Sequence, residues 1–125
     1  MRVAIFASGS GSNAENIAHY FKGSDIEICL ILTNNKDAYV LERADKLNIE
    51  SFIFDRNQFK NTNTVVDELQ TKNIDFIVLA GFLWLIPTSL IEAFPNKIIN
   101  IHPALLPNYG GKGMYGDKVH QAVFD

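Results

Sequence analysis

The run Ile74-Asp75-Phe76-Ile77-Val78-Leu79-Ala80 constrains the fold more than any other stretch of the chain. It is short enough for a strand, and from Phe76 onward consecutive residues are apolar, so both faces of that strand must be covered. Residues 3–7, 26–32, 51–54 and 98–101 read as four more strands, mostly apolar on both sides. Between them, residues 14–21, 40–47 and 65–71 read as helices; the second ends at Asn48, and the third places Val66 and Leu69 on one side. Doubly buried strands separated by helices make a parallel sheet covered on each face. The fold class is therefore α/β, a Rossmann-like, doubly wound, mainly parallel sheet with helices on both faces. At 125 residues, without repeat or linker, one domain is expected over 1–125.

The charge balance narrows the ligands. A net charge of -3 gives no basic footprint for nucleic acid or an anionic membrane, so neither is expected as a partner. A phosphate would have to be held locally, by backbone N–H groups. The lone cysteine, Cys29, sits in the apolar run 26–32 and reads as a buried, inert thiol. That usage fits a reducing compartment. The apolar start at residues 1–6 is too short for a signal segment, and no run approaches a bilayer-spanning length, so a cytoplasmic protein is expected.

In sheets of this class ligands bind beyond the carboxyl ends of the strands. Three loops leave those ends, at residues 8–13, 81–87 and 100–107, and they should converge on one edge. Ser8-Gly9-Ser10-Gly11-Ser12-Asn13 joins a strand to a helix. Its glycines allow positive φ and a close backbone approach to an anion, and the helix that follows aims its positive end there. Ser12 and Asn13 add donors, and Asn13 is a candidate helix cap. The loop also reads as a bare capped turn, or as the G-x-G-x-x-A form of a dinucleotide site. The dinucleotide reading wants an acid near the end of the second strand, where Thr33, Asn34 and Asn35 stand. A single phosphate monoester suits the loop better.

Asn100-Ile101-His102-Pro103-Ala104-Leu105-Leu106-Pro107 carries the chemistry. Strand alternation puts Asn100 and His102 on one side, about 6.5–7 Å apart, and Pro103 and Pro107 stiffen the segment that follows. An amide can stabilise a developing oxyanion, and an imidazole can move a proton near neutral pH. The same residues could simply satisfy loop backbone. No metal-ligand spacing links His19, His102 and His120, and His19 reads as a helix-surface residue. Gly81-Phe82-Leu83-Trp84-Leu85-Ile86-Pro87 continues the fourth strand without a polar break, so it either packs as core or lines a slot for a flat, partly apolar ligand.

Together, Gly11-Ser12-Asn13, Leu79-Ala80-Gly81-Phe82 and the 100–107 segment resemble the folate-dependent formyl transferase family, in its glycinamide ribonucleotide branch. The resemblance spans the whole chain, and the 100–107 motif is its most specific part. It implies transfer of a formyl group from 10-formyltetrahydrofolate to the amine of glycinamide ribonucleotide in purine synthesis. In that pattern Gly11, Ser12 and Asn13 hold the substrate phosphate, with Pro103 beside the substrate. Leu83, Trp84, Leu85, Ile86 and Asn100 meet the folate, the first four largely through backbone. Asn100 stabilises the oxyanion and His102 handles protons. No metal is implied.

The sequence departs from the family in two places. Many members have an arginine where Trp84 stands, and the family's third catalytic residue, an aspartate, falls beyond Asp125. The resemblance thus covers the family's N-terminal portion, with weak or absent catalysis expected of residues 1–125 alone. Asp117 and Asp125 stand in the wrong context to replace that aspartate. Lys112, in a glycine-rich stretch, reads as a ligand contact or a solvated lysine, and the role of His120 stays open. A formyltetrahydrofolate hydrolase is the nearest rival, but it needs no phosphate cradle. A non-catalytic phosphate- or nucleotide-binding module is the rival from another class. Oligomeric state is not legible.

Overall fold

The computed structural model describes residues 1–101. Strands β1 (Arg2–Phe6), β2 (Glu27–Thr33), β3 (Glu50–Ile53), β4 (Phe76–Ala80) and β5 (Ile98–Ile101) form one sheet. Every pairing in it is parallel, in the order β3-β2-β1-β4-β5. Helices α1 (Ser12–Phe21), α2 (Val40–Lys46), α3 (Arg56–Lys60), α4 (Thr64–Thr71) and α5 (Thr88–Ala93) connect the strands. The doubly wound α/β architecture is as the sequence pattern predicts.

Side-chain alternation divides the strands between two cores. Val3, Ile5, Ile31, Val78 and Ile101 face Ala14 of α1 and Val40 and Ala44 of α2. Ala4, Phe6, Leu30, Leu32, Ile77, Leu79 and Ile98 face Phe59 of α3, Val65 and Leu69 of α4, and Leu90 and Phe94 of α5. The second core is the aromatic one. Phe54 and Phe59 stack at 4.9 Å between ring centroids, with Phe6 within 5.9 and 6.3 Å of them; such pairs add about 0.5–1.5 kcal/mol each beyond the area they bury.

Several local expectations are corrected. The sequence extends the fourth strand back to residue 74, but it starts at Phe76. The Ile74 N–H still donates back to the Leu69 carbonyl, while Asp75, just before the strand, already meets β1: its N–H donates to the Arg2 carbonyl and its carboxylate accepts from the Arg2 N–H. The first helix starts at Ser12, which puts Asn13 inside its first turn and not at its cap. The short helices α3 and α5 fall in stretches that the periodicity leaves as loop. Cys29 is half-buried, not fully enclosed, and its thiol donates to the Glu27 carbonyl at 3.3 Å. Desolvation by burial still pushes that thiol above its ordinary pKa, which disfavours the reactive thiolate.

Three asparagines close helix-to-strand turns in the left-handed region. Asn48, Asn73 and Asn96 have φ of 57°, 57° and 59°, a conformation asparagine tolerates better than most residues. No helix among the described residues is long and apolar enough to cross a membrane.

Candidate functional site

The strand order reverses between β1 and β4. The chain leaving β1 builds outward to β2 and β3, whereas the chain leaving β4 builds the other way, to β5. At such a reversal the connecting loops part and leave a crevice beyond the strand ends. The glycine loop and the apolar 81–87 segment leave the sheet on its two sides.

The glycine loop is held from behind by α2. The Gly9 carbonyl accepts from the Val40 N–H at 3.1 Å, and the Ser10 carbonyl accepts from Arg43 Nε at 2.6 Å. Arg43 is itself fixed by a 3.0 Å ion pair with Glu15 of α1 and by the Tyr39 ring, 5.0 Å from its guanidinium. Two of the loop's carbonyls are thus turned toward α2.

Gly11 is the N-cap of α1, at φ 76° and ψ 16°. A Cβ there would lie 2.3 Å from Val40 Cγ2 and 2.9 Å from Val40 Cα, so packing alone already demands glycine. Gly9 differs, with nothing within 4 Å of a Cβ and no positive φ. The first intrahelical bond runs from the Glu15 N–H to the Gly11 carbonyl, 2.9 Å. The N–H groups of Ser12, Asn13 and Ala14 precede that bond and have no partner within the helix, and Gly11 has no side chain to cap them. These donors sit at the positive end of a ten-residue helix.

On the other side Gly81, at φ 73°, turns the chain off β4. The next five residues alternate as a strand would. Phe82, Trp84 and Ile86 pack onto the aromatic core, while the side chains of Leu83 and Leu85 are each 82% exposed. The Phe82 ring meets Phe6 and Phe59 edge-on at 5.3 and 5.5 Å, and Trp84 meets Phe54 at 6.0 Å. The Arg56 guanidinium lies 4.4 Å from the centre of the Trp84 ring. Core and slot are therefore alternatives only for the segment as a whole. Residue by residue, Phe82, Trp84 and Ile86 pack as core while Leu83 and Leu85 are exposed.

Ser8 joins the two sides, and sequence reasoning passed over it. It is 7% exposed, and its N–H donates to the Gly81 carbonyl at 3.2 Å. Its Oγ accepts from the Leu83 N–H at 3.0 Å and donates to Asn34 Oδ1 at 2.7 Å. The available signal was its place, the first polar residue after an apolar strand in a sheet of this class.

Asn100 lies on β5, in register with Leu79 of β4, which pairs in turn with Phe6 of β1. That register puts the half-buried amide on the aromatic face of the sheet, one residue short of the end of β5. Gly11, Ser12, Asn13, Leu83, Trp84, Leu85, Ile86 and Asn100 thus all lie at carboxyl ends of strands or just beyond them. His102, Pro103, Lys112, Asp117, His120 and Asp125 lie outside the described residues. Among the described residues no three His, Cys, Asp or Glu side chains group as a metal site. His19 is an exposed helix residue, 3.9 Å from Glu15. An apolar groove of about 750 Å³, lined by Ile17, Tyr20, Ile28, Val78, Ile99 and Ile101 among others, lies on the α1 face of the sheet and away from the crevice.

Comparison with known proteins bears on the family of the chain. The family model described as formyl transferase matches residues 1–124. The chain is 40% identical to a chloroplastic phosphoribosylglycinamide formyltransferase of Arabidopsis thaliana, over 99% of this chain and 45% of that protein. It is 35% identical to the phosphoribosylglycinamide formyltransferase of Bacillus subtilis (strain 168), over 98% of this chain and 66% of the relative. Among solved structures, glycinamide ribonucleotide transformylase 1 from Geobacillus kaustophilus superimposes with a TM-score of 0.76 at 36% identity, covering 97% of this chain and 67% of that one. The chain spans between about half and two thirds of the lengths of these relatives.

Proposed function

Because the chain belongs to the formyl transferase family, we propose that it serves the transfer of a formyl group from 10-formyltetrahydrofolate to the amine of glycinamide ribonucleotide. One observation carries the choice of substrate: an uncapped helix start, behind a loop whose carbonyls are already engaged, opens at the strand-order reversal. A phosphate monoester accepts from such N–H groups without needing a cationic field, which suits a chain of net charge -3.

On this reading the N–H groups of Ser12 and Asn13, with the Gly11 turn, take the substrate phosphate. The exposed Leu83 and Leu85, together with the backbone of Trp84 and Ile86, form an apolar wall for the folate ring system. The substrate amine attacks the formyl carbon, and the carbonyl oxygen gains charge. The Asn100 amide donates to that oxygen. The bond from the formyl carbon to the folate nitrogen then breaks, the folate nitrogen takes a proton, and the former amine loses one. His102 is assigned to that proton movement and Pro103 to the substrate side. Holding both reactants at one crevice raises their effective concentration, which matters for a weakly electrophilic donor. We place the reaction in the cytoplasm; some plant relatives carry chloroplastic names, and cell fractionation separates the two compartments.

The test is a formyl transfer assay of the full protein with both substrates. An Asn100→Ala variant should lose about 10²–10³-fold in kcat, as removal of an oxyanion donor does. Turnover of the donor by water, with no dependence on the ribonucleotide, would turn the assignment to a hydrolase.

A further inference from the structure

We propose that Ser8 is a positioning residue, which sets the spacing between the phosphate end and the apolar wall of the crevice; this rests on the function just proposed. The bonding leaves the hydroxyl no freedom. Its oxygen receives the Leu83 N–H, so its own proton is directed to Asn34 Oδ1. One buried side chain thereby links the ends of β1, β2 and β4 across the reversal of strand order.

Apart from the backbone bond from the Ser8 N–H to the Gly81 carbonyl, which a change of side chain leaves in place, the two sides are supported separately. The glycine loop hangs on α2 through Val40 and Arg43. The 82–86 segment hangs on the aromatic core through Phe82 and Trp84. Among the side chains of the described residues, the Ser8 hydroxyl is what fastens the backbone at Leu83 to the residue three positions before Gly11. Leu83 opens the segment assigned to the folate, and Gly11 opens the helix assigned to the phosphate. Loosening that bond should shift one reactant relative to the other while leaving the phosphate contacts intact.

Ser8→Ala in the full protein tests this through kinetics and amide hydrogen exchange. Because near-attack geometry tolerates little misplacement, kcat should fall by about 10-fold or more, while KM for the ribonucleotide stays within about 2-fold. Exchange at the Leu83 amide should quicken by about 10-fold as its hydrogen bond is lost, with the amides of β1 and β4 unchanged. A folded Ser8→Ala protein with unaltered kcat, or one whose ribonucleotide KM rises in step with the fall in kcat, would overturn the proposal. If Ser8→Ala does not fold, Asn34→Ala removes the acceptor that orients the hydroxyl, and a smaller change in the same direction is expected. A folded Asn34→Ala protein with parent kcat and parent Leu83 exchange would also overturn it. A parent protein with no formyl transfer would sink the proposed function instead, and Leu83 exchange would still report on the tether.

Discussion

The two segments that border the crevice reach order by opposite means. The glycine loop is a backbone device. Its shape comes from a positive φ at Gly11, from close contact with Val40, and from carbonyls drawn back by α2. The 82–86 segment is a side-chain device, in which Phe82, Trp84 and Ile86 anchor in an aromatic core and push Leu83 and Leu85 outward. The first leaves helix-start N–H groups with no partner in the helix, and the second leaves two leucines exposed. On the proposed function the first takes the phosphate and the second the folate ring system.

The comparison can be broken most severely from the aromatic side. Phe59 is 2% exposed and meets Phe6, Phe54, Phe82 and Trp84. Phe59→Ala should cost about 3–5 kcal/mol in urea unfolding. In the folded fraction the emission of Trp84, the single tryptophan, should shift to the red, while the Gly11–Asn13 amide resonances hold their positions. Movement of both sets together would mean that the two borders are one unit.

Gly11→Ala attacks the other border. Positive φ and the overlap with Val40 together predict a loss of about 2–4 kcal/mol by the same measurement. Combining it with Val40→Ala should restore only the smaller part, because that change leaves Val40 Cα in place, 2.9 Å from where the new Cβ would sit. Arg43→Ala releases the Ser10 carbonyl and the Glu15 ion pair. For a side chain 24% exposed, that should cost about 1–2 kcal/mol, and calorimetry should show weaker binding of the ribonucleotide. Leu85→Ser should leave stability within about 0.5 kcal/mol of the parent. Its KM for the formyl donor should nevertheless rise by roughly 10-fold, the value of much of one buried leucine.

The strands were legible because a doubly covered parallel sheet writes itself as short apolar runs. β5 was placed to the residue at Ile98–Ile101, and the others lie within two residues of the runs that announced them. Helix α3 was missed although Asp55 and Gln58 form a capping box, a pattern readable from Asp-x-x-Gln. Five residues are too few for periodicity to register. Helix α5, six residues behind Pro87, escaped for the same reason.

The glycine loop was found, but half of its reason was not. Gly11 is compelled by Val40, which is 29 residues away in sequence, and no local rule gives that contact. A variant at Gly11 therefore confounds ligand loss with unfolding, whereas Gly9 can be changed without either strain. The 81–87 segment was recognised as apolar, yet which of its residues face inward depends on where α3 and β1 lie. Ser8 was passed over because a lone serine carries no pattern, and its meaning comes from two partners 26 and 75 residues away.

The most direct test follows backbone amide resonances while glycinamide ribonucleotide is added to the full protein, with a Gly9→Val variant alongside. The account predicts that the Gly11, Ser12 and Asn13 amides shift first and saturate together, and that a side chain at Gly9 weakens binding while unfolding stability is kept. A folded protein whose 11–13 amides stay still while the ribonucleotide binds elsewhere, or does not bind, would contradict it.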